Sequence, residues 1–577
     1  MTNAHIADAF DLIGDILDFQ GANPFRVRAY RNSARTIRDY PEPLAGMVET
    51  GKQKLVEIDG IGDDLAAKII TLVQTGSLPQ LEELKKQVPD SVLALLRIPG
   101  VGPKKAAALH KELKILTLEQ LKAACEAGQV RELKGFGEKT EQLILQGIGI
   151  ASQAGQRLYW AEADQIVQEL REHFRGCKSI KQLEFGGSYR RGKETIGDLD
   201  ILVVAPDPTE AMDCLASFPE TTTVIGRGET KMSIRIASGF QVDLRVVPAE
   251  SFGAALQYFT GSKEHNIILR GRAKDQGLKI SEWGVFRVKG EKETRIAGAT
   301  EQEVYDTLKL PVFPPEIREG RREFEWADAG KLPELITLED IRGDLHMHTT
   351  ASDGSASIEE MIAAARAQGL SYIAITDHSQ RVSMARGLNG ERLLEQWQEI
   401  DKIRENLPKG FTLLKGIECD ILEKGGMDLP DDVLAQGDWI IASIHYGQKQ
   451  SRQQITERIL GAIENPHVDI IAHPTGRLIN RREAYEVDLD AVMAAAKKHG
   501  KLLELNANPA RLDLNDVYCA AAKQHGIPIV INTDAHSPDG FEVLRYGILQ
   551  ARRAGLTKVD VANTRPWPQL KKLIGKP

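Results

Sequence analysis

The stretch Phe185-Gly186-Gly187-Ser188-Tyr189-Arg190-Arg191-Gly192-Lys193, continuing as Thr195-Ile196-Gly197-Asp198-Leu199-Asp200-Ile201-Leu202-Val203-Val204, decides how the middle of this chain is read. Gly186 and Gly187 permit a turn whose backbone N–H groups come close to an anion, while Ser188, Arg191 and Lys193 add donors and positive charge. Alternate residues of a strand share a face, so Asp198 and Asp200 converge on one spot. Convergent carboxylates make a hard oxygen site suited to Mg²⁺ carrying substrate phosphates. Gln241-Val242-Asp243-Leu244-Arg245-Val246-Val247 reads as a second strand bearing one acid. Three carboxylates on neighbouring strands are what two-metal phosphoryl transfer requires. An ordinary turn and strand would need neither the hydroxyl nor the bases in this order.

The block resembles the nucleotidyltransferase palm of the family X DNA polymerases, whose best-known member is DNA polymerase beta. The likeness continues through Tyr258-Phe259-Thr260-Gly261-Ser262, with Asn266 and Arg270 behind it. It implies that Asp198, Asp200 and Asp243 are catalytic ligands of Mg²⁺ or Mn²⁺. It makes Gly187, Ser188 and Arg191 the triphosphate binders. Tyr258, Phe259 and Gly261 would line the nucleotide sugar, Asn266 would meet the minor-groove edge of the base, and Arg270 would contact the template strand. Two positions depart from the vertebrate pattern: Gln241 replaces an Arg, and Lys263 replaces an Asp. Those changes bear on fidelity and nucleotide affinity and leave the reaction class intact.

Upstream, three segments repeat a pattern: Leu55 to Gly62, Leu95 to Gly102, and Arg131 to Gly137. Each leads through a Gly-x-Gly turn into a helix-favouring run such as Lys104-Lys105-Ala106-Ala107-Ala108-Leu109-His110. The glycine pairs Gly60/Gly62, Gly100/Gly102 and Gly135/Gly137 would present backbone amides and the positive end of a helix to DNA phosphates without reading bases. One such turn is an ordinary helix cap; three resemble the helix-hairpin-helix motifs that precede the palm in family X. Asn23-Pro24-Phe25-Arg26-Val27-Arg28-Ala29-Tyr30-Arg31 opens a helix with aromatics among bases and resembles the family's 5′-end-binding domain. Lys68 stands at the spacing of that domain's Schiff-base lysine, which would give 5′-deoxyribose-phosphate lyase chemistry. Asp63 and Asp64 oppose this, being acidic where a 5′-phosphate pocket wants bases.

The C-terminal third reads as seven strand–helix units, each apolar run ending in polar residues. The ends are Asp344-Leu345-His346-Met347-His348, Thr376-Asp377-His378, Gly416-Ile417-Glu418, Ser443-Ile444-His445, Ala472-His473-Pro474, Leu503-Glu504-Leu505-Asn506 and Asn532-Thr533-Asp534-Ala535-His536. Seven units imply a barrel, and barrels place chemistry at the strand C-termini. Nine of the thirteen histidines lie after residue 340. Mixed imidazole and carboxylate donors suit Mn²⁺, Zn²⁺ or Fe, with enough groups for two or three ions. The pattern is very similar to the PHP (polymerase and histidinol phosphatase) superfamily of phosphoesterases. By that match the ligands are His346, His348, Asp353, His378, Glu418, His445, His473, Asp534 and His536.

At 577 residues the chain is long enough for several cores. No apolar run approaches the ~20 residues of a membrane span. No signal segment opens the chain, and five cysteines without a Cys-x-x-Cys pair suit a reducing compartment, so a cytoplasmic location is expected. Residues 1–320 hold 42 Lys/Arg against 45 Asp/Glu, so phosphate binding must come from local clusters and amides.

The expected architecture is multidomain. Residues 1–150 form an all-α helix-hairpin-helix region. Residues 151–250 form an α+β palm, and 251–315 a small α/β subdomain that closes over the nascent base pair. Residues 316–340 are a linker, and 341–577 a distorted (β/α)7 barrel. The resemblance implies a monomeric repair polymerase that fills short gaps in gapped or nicked double-stranded DNA from dNTPs. It also implies a metal-dependent 3′→5′ exonuclease or abasic-site activity in the barrel, and no membrane partner. The rivals are a template-independent or RNA-directed nucleotidyltransferase and a DNA-tethered phosphoesterase.

Overall fold

The computed structural model describes residues 3–39, 44, 47–48, 55–58, 61–88, 103–133, 135–138, 140–142, 144–145, 157–480 and 482–576. They form two compact units, residues 1–157 with 238–240 and residues 158–237 with 241–577.

The first unit is helical. Ile6, Phe10, Ile13 and Leu17 of the Asn3–Phe19 helix bury against Val27, Tyr30, Ala34 and Ile37 of the Pro24–Asp39 helix. Their three- and four-residue spacing makes one apolar stripe per helix. The second helix therefore turns Phe25, Arg26 and Arg28 outward, with the Arg28 guanidinium 4.7 Å from the Phe25 ring centre. Arg31 is committed within the unit, to Asp15 at 3.0 Å and Asp18 at 2.9 Å. Gly62 caps the Asp63–Thr75 helix in an extended conformation. Gly135 turns the third hairpin at φ +89°. Gly60, Gly100 and Gly102 lie outside the described residues.

The second unit begins with the palm. A short pair, β1 (Leu158–Tyr159) and β3 (Thr195–Ile196), flanks a five-stranded sheet in the order β2-β4-β7-β6-β5. Its strands are β2 (Gln182–Phe185), β4 (Asp198–Val204), β5 (Thr221–Arg227), β6 (Lys231–Ile236) and β7 (Gln241–Val246). Only β4 and β7 run parallel, which sets Asp200 directly opposite Asp243. Beyond it, β8 (Leu278–Ser281), β9 (Gly284–Lys289) and β10 (Lys292–Ala297) make an antiparallel meander beside the Phe252–Thr260 and Lys263–Asp275 helices.

Seven parallel strands follow: β11 (Gly343–Asp344), β12 (Tyr372–Ile375), β13 (Thr412–Asp420), β14 (Trp439–Ser443), β15 (Ile470–Ile471), β16 (Leu502–Asn506) and β17 (Ile529–Asn532). The ends of this sheet meet, with Met347 bridging Ala535 and the His348 amide donating to the Ala535 carbonyl at 2.8 Å. The expected barrel is thus nearly closed. Its strands alternate: Tyr372, Ala374, Leu414, Trp439, Ile441, Leu502 and Val530 fill the inside, while Ile373, Ile375, Leu413, Ile440, Leu503 and Ile529 pack against the helices.

One reading is corrected. The segment 316–340 is no free connector, because Ile317, Phe324 and Leu335 join Val304, Tyr305 and Phe313 in one apolar core. Cys177 and Cys214 are drawn together as a disulfide pair that no spacing in the sequence announced.

An ion cluster ties the palm to the subdomain after it. Glu301 takes both guanidinium nitrogens of Arg190, at 2.9 and 2.7 Å, and is also paired with the fully buried Arg318. Burial alone would raise this carboxyl, yet Arg318 and Arg190 hold it at about 2. A depressed carboxyl stabilises the fold above its ordinary 4.5 and loses that contribution as pH falls through about 2. Glu301→Gln should therefore cost on the order of 3 kcal/mol at neutral pH. Thermal melts should show the gap from the parent closing between pH 4.5 and 2.

Candidate active sites

The palm centre is built by three local rules. The parallel register of β4 and β7 pairs Asp200 with Asp243, and the strand period puts Asp198 on the same side. The Gly187–Arg190 turn packs over them, held by the Gly186 amide donating to the Asp200 carbonyl at 2.8 Å. Gly187 has φ +63°, and a Cβ there would stand 2.6 Å from the Asp200 Oδ2. Only glycine fits. Burial, together with the charges of Asp198 and Asp243, pushes the Asp200 carboxyl up to about 6. Gln241 donates to Asp243 Oδ1 at 3.0 Å, and Lys231 lies 3.6 Å from its other oxygen. Three carboxylates on one face, with Lys231 and Arg245 the cations acting on Asp200, are the hard oxygen donors a divalent cation takes.

The expected nucleotide binders surround it unevenly. Ser188 is half-buried on the turn. Arg191 points its Nε at Glu319 (2.9 Å), and its Nη1 donates to the Thr260 carbonyl. Tyr258 and Phe259 end the Phe252–Thr260 helix half-buried, with ring centres 5.2 Å apart. Gly261 follows at φ +72°. Asn266 accepts from Gln257 at 2.7 Å and donates to the Tyr258 carbonyl at 2.8 Å, so its amide is fixed in orientation. Arg270 is exposed on the same helix. Sequence reading missed Arg245, whose guanidinium lies 4.3 Å from the Phe259 ring centre. The signal was its i+2 spacing from Asp243.

The barrel centre follows from the alternation inside it. Continuing the inward series from Ala374, Leu414, Ile441, Leu502 and Val530 gives His378, Glu418, Ser443 and His445, Glu504, and Asn532 and Asp534. Apolar filling below becomes metal-binding polarity above. All nine expected residues converge. Glu418 lies 3.4 Å from His346, 2.8 Å from His378, 3.5 Å from His445 and 3.0 Å from His473. Asp534 stands 3.1 Å from His348. Asp353 reaches His378 at 3.6 Å and His536 at 3.5 Å. Eight of the nine form three overlapping groups whose donor atoms lie within 4.8 Å of one another.

His346 Nε2, His348 Nδ1 and His473 Nδ1 are buried with no hydrogen-bond partner among the described residues. Orphaned ring nitrogens beside carboxylates fit a metal centre. Without one, protons must do the neutralising. Burial opposes a charge on His378, but Glu418 and Asp353 push it up to about 10. Burial and His378 push His348 down to about 4. Sequence reading missed the outer carboxylates that aim these rings: Glu504 contacts His346 Nδ1 at 2.7 Å, and Asp420 contacts His445 Nδ1 at 3.0 Å. It also missed Arg511, whose Nε is 3.6 Å from Asp534.

Family models for the DNA polymerase beta palm and thumb match residues 157–229 and 255–319. A helix-hairpin-helix domain matches 1–78, a SAM-like helix-hairpin-helix tandem 92–149, and a PHP domain 344–508. The DNA polymerase/3′-5′ exonuclease PolX of Bacillus subtilis (strain 168) is 41% identical over 569 residues, covering 98% of each chain. The chain belongs to the family X DNA polymerases with a C-terminal PHP domain. DNA polymerase lambda of Rattus norvegicus is 25% identical over 55% of this chain and 56% of its own. A probable phosphatase of Thermoanaerobacter sp. (strain X514) is 32% identical over 38% of this chain and 89% of its own.

In this family X chain the thumb match, residues 255–319, takes in most of the expected 251–315 subdomain and the buried Glu319. Lys68, the expected lyase residue, is paired with Asp64, its Nζ 5.6 Å from the Tyr30 ring centre. Among the described residues no helix is long and apolar enough to cross a membrane. Gly187→Ala should lower nucleotide addition at least ~100-fold by forcing Asp200 aside, with barrel phosphoesterase rates kept. Parallel primer-extension and 3′-end degradation assays on one preparation check both halves.

Proposed function

We propose that the chain adds dNMP units to primer 3′ ends at short gaps in duplex DNA, while the barrel removes nucleotides from 3′ ends at a separate centre. The observation that carries this is the Asp200–Asp243 register, with Asp198 on the same face under the Gly187–Arg191 turn. Cations bound at the two centres, Mg²⁺ or Mn²⁺ in the palm and two or three Mn²⁺, Zn²⁺ or Fe ions in the barrel, supply charge neutralisation and an acidified water.

The protein's own groups do the rest. Asp243 draws the proton from the primer 3′-OH, a role supported by Gln241 donating to its carboxylate at 3.0 Å. Ser188 and Arg191 meet the triphosphate, where charge develops on the leaving pyrophosphate. Tyr258, Phe259 and Gly261 line the sugar. Asn266, pinned by Gln257 and Tyr258, meets the base edge, and Arg270 on the exposed face touches the template strand. The amides at Gly60, Gly62, Gly100, Gly102, Gly135 and Gly137, with Arg26 and Arg28, hold flanking duplex and the gap's 5′ end. Lys68 carries lyase chemistry only if its amine leaves Asp64. A cytoplasmic, monomeric repair enzyme fits these assignments.

In the barrel, His346, His348, Asp353, His378, Glu418, His445, His473, Asp534 and His536 hold the cations, and Arg511 is close enough to meet the scissile phosphate. The Bacillus subtilis relative, aligned end to end, is named for polymerase and 3′-5′ exonuclease together, which supports DNA as the substrate. A DNA-tethered phosphoesterase would account for the barrel and leave the palm carboxylates without a task. A template-independent or RNA-directed transferase would leave Asn266 and the three hairpins without one.

A labelled one-nucleotide-gap duplex with Mg²⁺ or Mn²⁺ separates the halves. Asp243→Ala should lower dNTP addition by about a thousandfold or more and leave 3′-end degradation at the parental rate. His346→Ala with His348→Ala should do the reverse. Loss of both activities in either variant, or extension as fast on an open primer–template as on the gap, would reject the reading.

A further inference from the structure

The turn that carries Ser188, Arg191 and Lys193 is gripped by the barrel. Arg553, on the Leu544–Arg553 helix, donates from Nη1 to the Arg191 carbonyl at 2.7 Å. Three residues earlier on the same helix, Gln550 donates from Nε2 to the Gly192 carbonyl at 2.9 Å. That spacing puts both donors on one helix face. Gly192 has φ +64°, and a Cβ there would lie 3.3 Å from Leu549 of this helix. Next along the turn, Glu194 takes both guanidinium nitrogens of Arg477 at 3.2 and 2.7 Å. Arg477 follows the barrel ligand His473 by four residues and also donates to the carbonyls of Arg511 and Leu512.

One carboxylate joins the two sides. Glu319, only 3% exposed, receives Arg191 Nε at 2.9 Å and Arg553 Nη1 at 2.8 Å, with Lys193 at 3.8 Å. Arg553 reaches on to Asp516 at 2.9 Å, which also holds Arg321 at 3.2 Å. A buried carboxylate stripped of its only guanidinium is costly. Here Arg553 remains when Arg191 turns away, so Arg191 can leave Glu319 for a triphosphate without stranding a buried charge.

We infer that the PHP barrel is a working part of the polymerase's triphosphate site, with Arg553 and Gln550 as positioning residues that set the Arg191–Lys193 turn and free the Arg191 guanidinium to meet the incoming nucleotide. This rests on the reading of Arg191 as a triphosphate binder. Neither residue touches substrate. Both act through the turn.

The test uses the full chain and single-nucleotide addition to gapped DNA with Mg²⁺, reading the KM for dNTP and kcat separately. Arg553→Met and Gln550→Met should each raise KM about five- to twentyfold with kcat within about twofold. Arg553→Lys should restore most of the KM. The affinity for gapped DNA and the 3′-end degradation rate, measured on the same preparations, should match the parent. Gln550→Met keeps the side-chain length and removes one donor, so it reports even if Arg553→Met does not fold. A KM within twofold of the parent in Gln550→Met, and in Arg553→Met where that variant folds, with Arg191→Ala raising KM, would overturn the barrel's part in the site. An unchanged KM in Arg191→Ala would instead overturn the triphosphate reading on which it stands. A uniform loss of DNA affinity, addition and degradation in Gln550→Met would mark a packing role and also reject the inference.

Discussion

Asp200 and Asp243 face each other across a parallel strand pair with Asp198 alongside, so three carboxylates share one face. Lys231 stands off Asp243 by 3.6 Å, and Asp200 is raised by its acidic neighbours as well as by burial. Like charges held this close are tolerated where cations or protons join them. The barrel repeats the condition with different donors. Glu418 is 1% exposed and ringed by four imidazoles, two of which, His346 and His473, keep a buried ring nitrogen with no hydrogen-bond partner among the described residues. Both centres store unmet charge and coordination that a divalent ion relieves, so metal binding and the local fold reinforce each other.

Much of this was legible because strand period does geometric work. The Asp-x-Asp pair could only share a face, and the seven apolar runs could only deliver their polar ends to one rim of a barrel. The alternation that seats Leu414 inside carries Glu418 inside, and Val530 carries Asp534. Gly187 was read as a residue that lets backbone approach phosphate. The structure adds a second reason, since a side chain there would strike Asp200. The hairpin amides of the N-terminal unit were read in the same way, and Gly62 and Gly135 occupy turns of that kind.

The rest depended on contacts between residues hundreds of positions apart, for which a local pattern has no signal. Glu504 and Asp420 lie on barrel strands and looked like ordinary polar strand ends, yet they orient His346 and His445. Their task is set by which ring they face, and register across a closed sheet decides that. Cys177 and Cys214, separated by 37 residues, meet because the end of the Trp160–Arg175 helix, just before Cys177, packs beside the Pro208–Ala216 helix that carries Cys214, a tertiary fact without a sequence motif. Arg190 and Arg191 are neighbours of the same type, but Arg190 is spent on Glu301 and Thr260 while Arg191 faces Glu319.

The charged run after Pro315 was the most misleading stretch. Prolines followed by alternating charges suggest a solvated tether. Arg318 and Glu319 are instead almost wholly buried: Arg318 pairs with Glu301 inside the thumb, and Glu319 joins the palm turn to the barrel helix. Composition could not separate the two cases, because burial of a charge depends on whether a partner of opposite sign arrives, and every partner here comes from elsewhere in the chain. Ile317, Phe324 and Leu335 seat the segment in the thumb's apolar core, and paired charges then fix the palm turn and the barrel helix against it. Ion pairs are directional where apolar contacts are not. That directionality suits a joint at which the angle of one arginine, Arg191, is set from the barrel side.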